Sequence, residues 1–344
     1  MSERRDIAMD AFKVVAILAV GLIHAVEIFQ RGDPNWPAGR YVDHLARFAV
    51  PFFMAVLGML TVRRYLGRVD WLVFWRRRLR SLVLPFLLWG GIYELAGLAV
   101  PEAPFGPLGR MLTGYSAGHL YFVPGYLSLL LILPLLRVVL RGDRTRASAL
   151  ALMAVAAHIV LLRHIELSGL DREPTDPLVR LYLFTEARLP LHWFGCFFAG
   201  ALLALQEERL SALLRRHGRL LTWGLPLWLT LHALVGQHAT EGVAWDWFWV
   251  TPYFLFGAMS AWIICVAAWP LVRGRALAGP LQWLGRNSYA VYLSHVLCLW
   301  WIQGALGDAA ERPGLVAFAW VAALAGGVVY APLHARLFEG RGIR

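Results

Sequence analysis

Long apolar runs alternate with short polar segments along the whole chain. A helix that crosses the hydrocarbon core of a bilayer needs roughly 20 mainly apolar residues. Ten runs come close to that length, several of them with one or two polar residues inside. The pattern predicts an all-α integral membrane protein, a bundle of about ten transmembrane helices. The predicted spans are approximately 11–30, 45–65, 81–100, 119–140, 148–164, 189–206, 220–236, 247–270, 288–306 and 314–333.

Composition supports this fold class. Of the 344 residues, 59% are hydrophobic and 16% are charged, with a mean hydropathy of +0.56. Soluble domains have about 45–50% apolar and about 25% charged residues, so a soluble globular enzyme, a disordered chain and a fibrous repeat are excluded. No polar segment is long enough for a separate soluble domain. We therefore interpret residues 1–344 as a single transmembrane domain, with external loops near 31–44, 101–118 and 165–187.

The basic residues predict the orientation of the spans. The net charge is +11, and all 33 basic residues except Lys13 are arginines. When the N-terminus is placed in the cytoplasm, 24 of the 33 fall in cytoplasmic segments, as the positive-inside rule requires. We expect both termini to lie in the cytoplasm. We expect the partner of this positive charge to be the lipid bilayer and not nucleic acid. The three cysteines lack metal-ligand spacing, so no metal site is predicted.

The first span carries ionisable residues along one face. Lys13 lies near its cytoplasmic end, and His24 follows eleven residues, or about three helical turns, later. Asp10 lies on the same face, three residues before Lys13. Ionisable groups in the hydrocarbon are costly and mark candidate functional sites. Imidazole is the usual general base near neutral pH. His24 is therefore either a catalytic base or a histidine that hydrogen-bonds a neighbouring helix.

Four arginines occupy positions 76–80, just before Pro85 and the third span. Positive-inside topology alone accounts for such a cluster. Guanidinium groups at a membrane surface also pair bidentately with phosphate. The alternative interpretation is therefore that Arg77 and Arg80 form a polyphosphate site.

Two further segments combine polar and aromatic residues. Residues 118–122, at the outer end of the fourth span, contain His119 and Tyr121. They fit an interfacial aromatic belt or a platform for a sugar ring, and the residues do not decide between the two. Residues 285–295 begin the ninth span. There we expect Ser288 to cap the helix start, and Tyr289 and His295 to share one face for either helix contacts or catalysis.

Taken together, these features resemble the membrane acyltransferase 3 family, which modifies cell-envelope glycans and related acceptors. The resemblance runs from about Asp10 to His295 and rests on five motifs that occur in the family's order. They are the basic–ten–His pattern from Lys13 to His24, the Phe-rich stretch 51–58, the Arg-x-x-Arg of Arg77 and Arg80, a His-Leu-Trp-Phe-like 119–122, and a Gly-x-x-Ser-Tyr-x-x-Tyr-Leu-x-His signature from Gly285 to His295.

Three positions depart from the family pattern. Lys13 stands where arginine is usual, which keeps the charge but not the bidentate geometry. Leu57 replaces the usual serine before Gly58, so any role of that hydroxyl is lost here. Tyr121 replaces tryptophan, a mild change.

The resemblance implies a reaction. It implies a cytoplasmic acyl-CoA, which we expect to be acetyl-CoA, as co-substrate and not as a bound cofactor. It implies an acceptor hydroxyl on a glycan or lipid-linked sugar across the membrane. His24 is expected to act as general base, with a covalent acyl-His intermediate as a variant. Lys13, Arg77 and Arg80 are expected to bind the CoA. The residues expected to support the site or face the acceptor are Asp10, His119, Tyr121, Ser288, Tyr289 and His295.

Two rival functions stay open at this point. A transporter or flippase for a lipid-linked sugar would also carry intramembrane ionisable residues, although the chain lacks the inverted repeat that many transporters show. A non-catalytic partner in polysaccharide assembly would explain the arginines as topology and the histidines as packing. The acyl group, the acceptor and a homo-oligomeric state are left open. The excess of arginine over lysine and the family resemblance favour the cytoplasmic membrane of a bacterium.

Overall fold

A computed structural model describes residues 7–30, 37–100, 103, 105–168, 176–185, 187–210, isolated positions between 212 and 234, 278–307 and 314–339. Within these residues the regular structure is entirely helical. We number the α-helices in chain order: α1 Ile7–Gln30, α2 Pro37–Ala46, α3 Ala49–Leu60, α4 Trp71–Arg78, α5 Leu84–Leu95, α6 Pro107–Thr113, α7 Phe122–Leu140, α8 Arg144–Leu167, α9 Pro177–Phe184, α10 Phe194–Leu205, α11 Ala278–Leu306 and α12 Leu315–His334.

Six helical segments in this part of the chain are long and apolar enough to cross a membrane. They are Asp10–Phe29, Tyr41–Tyr65, Gly118–Leu140, Arg144–Leu167, Gly279–Leu306 and Leu315–Phe338. The predicted span 189–206 is represented by the shorter apolar helix α10, and 81–100 by α5, which ends at Leu95. The predicted spans 220–236 and 247–270 lie largely or wholly outside the described residues. The all-α class is therefore confirmed, whereas the count of ten and the orientation of the termini stay predictions.

An aspartate caps the N-terminus of several helices. Asp70, Asp143 and Asp176 precede α4, α8 and α9, and each side chain accepts hydrogen bonds from backbone N–H groups of the first turn. Such caps satisfy donors that have no partner inside the helix. The predicted external loop 31–44 contains the start of α2, an amphipathic helix that runs to Ala46, and its external position stays a prediction.

The described contacts divide the chain into two compact units, with a boundary inside α3. Unit 1 comprises residues 1–52, 213–238 and 257–344. Its described helices are α1, α2, α11 and α12, around a core that includes Phe29, Leu299 and Ala323. Polar side chains also join these helices, since the indole of Trp320 donates to the Leu18 carbonyl at 2.9 Å.

Unit 2 comprises residues 53–212 and 239–256. Helices α3 and α10 cross here at two glycines. A Cβ built on Gly58 would lie 1.8 Å from the Phe197 carbonyl oxygen, and one on Gly200 would lie 1.8 Å from the Ala55 carbonyl oxygen. Only glycine permits backbones to approach so closely, as is common where membrane helices pack. The family-like glycine at position 58 is therefore a packing residue.

Candidate active site

In unit 1, the polar face of α1 packs against α11. Asp10 is 2% exposed, and the backbone of Gly285 lies against it. A Cβ on Gly285 would come within 2.6 Å of the Asp10 carbonyl oxygen, so the glycine permits this close crossing. The Lys13 Nζ lies 3.6 Å from Asp10 Oδ1, and the lysine side chain is 32% exposed. The predicted pairing of Asp10 and Lys13 on one face is thus present in the structure.

His24 lies further along the same side of α1. Its ring centroid is 5.3 Å from that of His295 on α11, and the two ring planes meet at 44°. His24 Nδ1 is 2.8 Å from Glu27 Oε2, one helical turn later. The His24 side chain keeps 19% exposure, whereas His295 is fully buried. The structure therefore brings together two of the histidines singled out in the sequence.

The contacts of His24 continue through the Glu27 carboxylate to an ion pair between Arg47 and Asp43. The second Glu27 oxygen, Oε1, lies 3.4 Å from Arg47 Nη2. Arg47 Nε in turn donates to Asp43 Oδ2. Arg47 and Asp43 are 8% and 0% exposed. The predicted site residues do not include Glu27, Asp43 or Arg47, although Glu27 follows His24 at helical spacing.

On α11, the rings of Tyr289, Tyr292 and His295 follow one another at helical spacing. Tyr289 and Tyr292 stack at 6.1 Å, and Tyr292 contacts His295 at 6.0 Å, which confirms the predicted shared face. The His295 Nδ1–H donates to the Tyr292 carbonyl at 2.7 Å. Because a carbonyl only accepts, this contact assigns the His295 proton to Nδ1. At the other end of the row, Tyr289 packs edge-on against His334 of α12.

The prediction that Ser288 caps a helix start is wrong. Helix α11 begins ten residues earlier, at Ala278, and carries Pro280 in its first turn, a position that proline tolerates. The hydroxyl of Ser288, which is 8% exposed, instead donates to the Gly285 carbonyl at 3.2 Å. The serine thus braces the part of α11 that meets Asp10.

In unit 2, Arg77 and Arg80 lie where an α-helix changes to a π-helical turn. The turn Leu79–Val83 is π-helical and leads directly into α5, in which Pro85 lacks the N–H that an α-helix would use. Both arginines are exposed, and within the described part of the chain neither guanidinium has a hydrogen bond or an ion pair. Their neighbour Arg78 differs, because it donates to the Tyr65 hydroxyl at 2.9 Å.

His119 and Tyr121 belong to the 3-10 turn Gly118–Tyr121 before α7, also in unit 2. His119 is 4% exposed, and its ring packs edge-on against Tyr93 of α5 at 5.2 Å. Tyr121 is partly buried. The geometry places His119 in the packing between the turn and α5.

Among the comparisons with known proteins, the one with family models gives a match. A family model described as an acyltransferase domain matches residues 6–332. No curated protein matches the chain, and no solved structure does.

Proposed function

The chain belongs to the acyltransferase 3 family, and we propose that this membrane acyltransferase transfers an acyl group, expected to be acetyl, from cytoplasmic acyl-CoA to a hydroxyl of an extracytoplasmic glycan or lipid-linked sugar. The observation that supports this most is the position of His24. Its imidazole is partly exposed, lies within a mainly apolar span, and contacts both a carboxylate and a second histidine. Ionisable groups are retained in such surroundings mainly where they have a function.

In the proposed reaction His24 acts as a general base. Its unprotonated nitrogen takes the proton of the acceptor hydroxyl while the hydroxyl oxygen attacks the thioester carbonyl carbon. The carbon–sulfur bond then breaks, the acyl group stays on the acceptor oxygen, and the imidazolium returns the proton to the CoA thiolate. General-base catalysis of this kind contributes about 10²–10⁴-fold to the rate. Attack by His24 itself, through an acyl-imidazole intermediate, is the two-step variant of the same reaction.

We assign the CoA phosphates to Arg77 and Arg80. Both guanidinium groups are exposed and are not engaged by the described residues of the protein, so they are available to an anion. Planar guanidinium groups bind phosphate oxygens in pairs, which suits the several phosphates of CoA. Lys13, in unit 1, stays a candidate for binding CoA, and Asp10 offsets part of its charge.

The remaining predicted residues fall into three groups. Ser288 and Asp10 hold the crossing of α1 and α11, and His119 supports the turn before α7. Tyr121, which is partly buried, stays a candidate for the acceptor side. His295 contacts the His24 ring, and Tyr289 lies on the same face of α11 as His295.

Binding of acetyl-CoA to the full chain in nanodiscs tests the proposal without knowledge of the acceptor. We expect saturable binding that is weakened at least tenfold in the Arg77→Ala/Arg80→Ala variant, because each charge-assisted hydrogen bond contributes about 1.5–3 kcal/mol. The matched control is Arg68→Ala/Arg146→Ala, which removes the same charge from two other exposed arginines. His24→Ala should bind normally and lose turnover. Absence of binding to acetyl-CoA and to longer acyl-CoAs would contradict the proposed function.

A further inference from the structure

Four ionisable side chains in unit 1 are linked into one chain of contacts. It begins at His24 Nδ1, 2.8 Å from Glu27 Oε2. It continues from Glu27 Oε1 to Arg47 Nη2 at 3.4 Å, and from Arg47 Nε to Asp43 Oδ2. His24 and Glu27 lie on α1, Asp43 lies on α2, and Arg47 follows the end of α2. Each Glu27 oxygen therefore has its own partner, one on α1 and one outside it.

The chemistry of these groups fixes where the His24 proton lies. An ionised carboxylate only accepts hydrogen bonds, so a 2.8 Å contact with Glu27 requires a proton on His24 Nδ1. In the neutral imidazole the other nitrogen, Nε2, then carries the lone pair. Nε2 is the atom that would accept a proton from a substrate hydroxyl. Without the carboxylate, nothing in this contact distinguishes the two neutral tautomers.

The contacts beside His24 involve two carboxylates, Glu27 and Asp43, and the guanidinium of Arg47 between them. Another ionisable group beside the ring is His295 of α11, whose own Nδ1–H donates to the Tyr292 carbonyl. In α12 the titratable residues are Tyr330 and His334, near its C-terminal end.

We infer that Glu27 is a positioning residue that sets the tautomer and ring orientation of His24, and that Arg47, anchored by Asp43, holds Glu27 in place. The catalytic part of this inference rests on the proposed function. The alternative is a purely structural role, in which Glu27 only joins α1, through Arg47, to the turn that follows α2. The two roles differ in whether the effect of Glu27 depends on His24.

The first test needs no substrate. The full chain is labelled with ¹⁵N-histidine in nanodiscs, and the His24 signals are identified by their loss in His24→Asn. We expect wild-type His24 to be protonated on Nδ1 and unprotonated on Nε2, and Glu27→Ala to redistribute the proton between the two nitrogens. Glu207→Gln, which removes the carboxylate of the exposed Arg63–Glu207 pair, should leave the His24 signals unchanged. A wild-type His24 that carries its proton on Nε2 would overturn the inference, whatever reaction the protein catalyses.

The second test uses turnover, followed as release of the CoA thiol from acetyl-CoA in membranes that contain the full chain. We expect Glu27→Gln to lower kcat about 10²-fold, within the range of general-base contributions, with the KM for acetyl-CoA nearly unchanged. Glu207→Gln should keep wild-type turnover. The His24→Ala/Glu27→Ala double variant should be no slower than His24→Ala, because residues that act as one unit are not additive. A further loss in the double variant would assign Glu27 a structural role.

A wild-type protein without turnover would refute the proposed function and leave the tautomer measurement as an independent test. Arg47→Lys provides a second check, because it keeps the positive charge but not the forked geometry with which Arg47 contacts both Glu27 and Asp43. We expect it to reproduce the tautomer mixture of Glu27→Ala in part. If Arg47→Lys stays folded and its His24 signals are identical to those of wild type, Arg47 has no part in holding Glu27 in place.

Discussion

Replacing Gly58 with alanine tests how α3 and α10 are packed. The added Cβ would lie 1.8 Å from the Phe197 carbonyl oxygen and 2.9 Å from the Ala201 nitrogen, both of them backbone atoms. Real Cβ atoms essentially never approach within 3.0 Å of a non-bonded atom. The two helices must therefore move apart, because neither contact can be relieved by rotating a side chain. The reciprocal contact at Gly200 opens at the same time.

The expected cost follows from this clash. Overpacking of a well-packed interior costs typically about 1–3 kcal/mol, and a clash with backbone belongs at the upper end of that range. Alanine regains up to about 1 kcal/mol of helix propensity, which offsets only part of the loss. The matched control is Gly90→Ala in the same unit, where the nearest atom is the flexible Met111 side chain at 3.4 Å. This variant should be neutral or more stable than wild type.

Thermal unfolding of both variants in the same detergent measures the difference. A domain of 150–250 residues changes its Tm by about 2–4 °C per kcal/mol, so Gly58→Ala should lower the Tm by roughly 4–10 °C relative to Gly90→Ala. If the Tm values of the two variants agree within about 1 °C, the close approach of α3 and α10 is incorrect. The explanation of the family-like glycine as a packing residue would fail with it.

Three further results are expected. Gly285→Ala should destabilise unit 1 by about 1–3 kcal/mol through its clash with Asp10, and Gly279→Ala, which meets open space, should not; thermal unfolding separates the two. Hydrogen bonds from His164 and from the α9 backbone lower the pKa of Asp176 below its ordinary 3.8. The stabilisation that the ionised carboxylate gives to the folded state is therefore complete above about pH 4, and it is lost as the pH falls through the lower pKa of the folded protein. Hydrogen exchange in α9 should show that acid dependence in wild type and lose it in Asp176→Asn. Arg137→Gln, at a 6% exposed side chain that donates to the Gly67 and Leu66 carbonyls, should cost about 1–3 kcal/mol in thermal unfolding, and an unchanged Tm would show that water replaces these bonds.

The sequence by itself determined the fold class and the position of most helices. Apolar runs of roughly 20 residues leave few alternatives to a membrane helix, because every backbone polar group must be satisfied within the segment. The predicted spans 11–30, 119–140 and 314–333 accordingly agree with α1, α7 and α12 within a few residues. The motif order was also sufficient to indicate the family, which the match over residues 6–332 confirmed.

Helix ends were less well determined, because local signals compete with the rest of the chain. Ser288 has the chemistry of a helix cap, but the residues before it continue the helix back to Ala278. The segment 31–44 is rich in proline and glycine, and yet α2 begins within it, because its few apolar residues recur at helical spacing. A window of sequence does not show which of two compatible local structures its neighbours stabilise.

Only the tertiary structure decided what meets the polar face of α1. Spacing along a helix shows which residues share a face, and it placed Asp10, Lys13 and His24 together. It carries no information about which face of another helix lies opposite, so the contact of His24 with His295 and the extension from Glu27 through Arg47 to Asp43 were not predictable. The same reason applies to Gly58 and Gly285, since a glycine in a helix becomes a close crossing only when a second backbone packs against it.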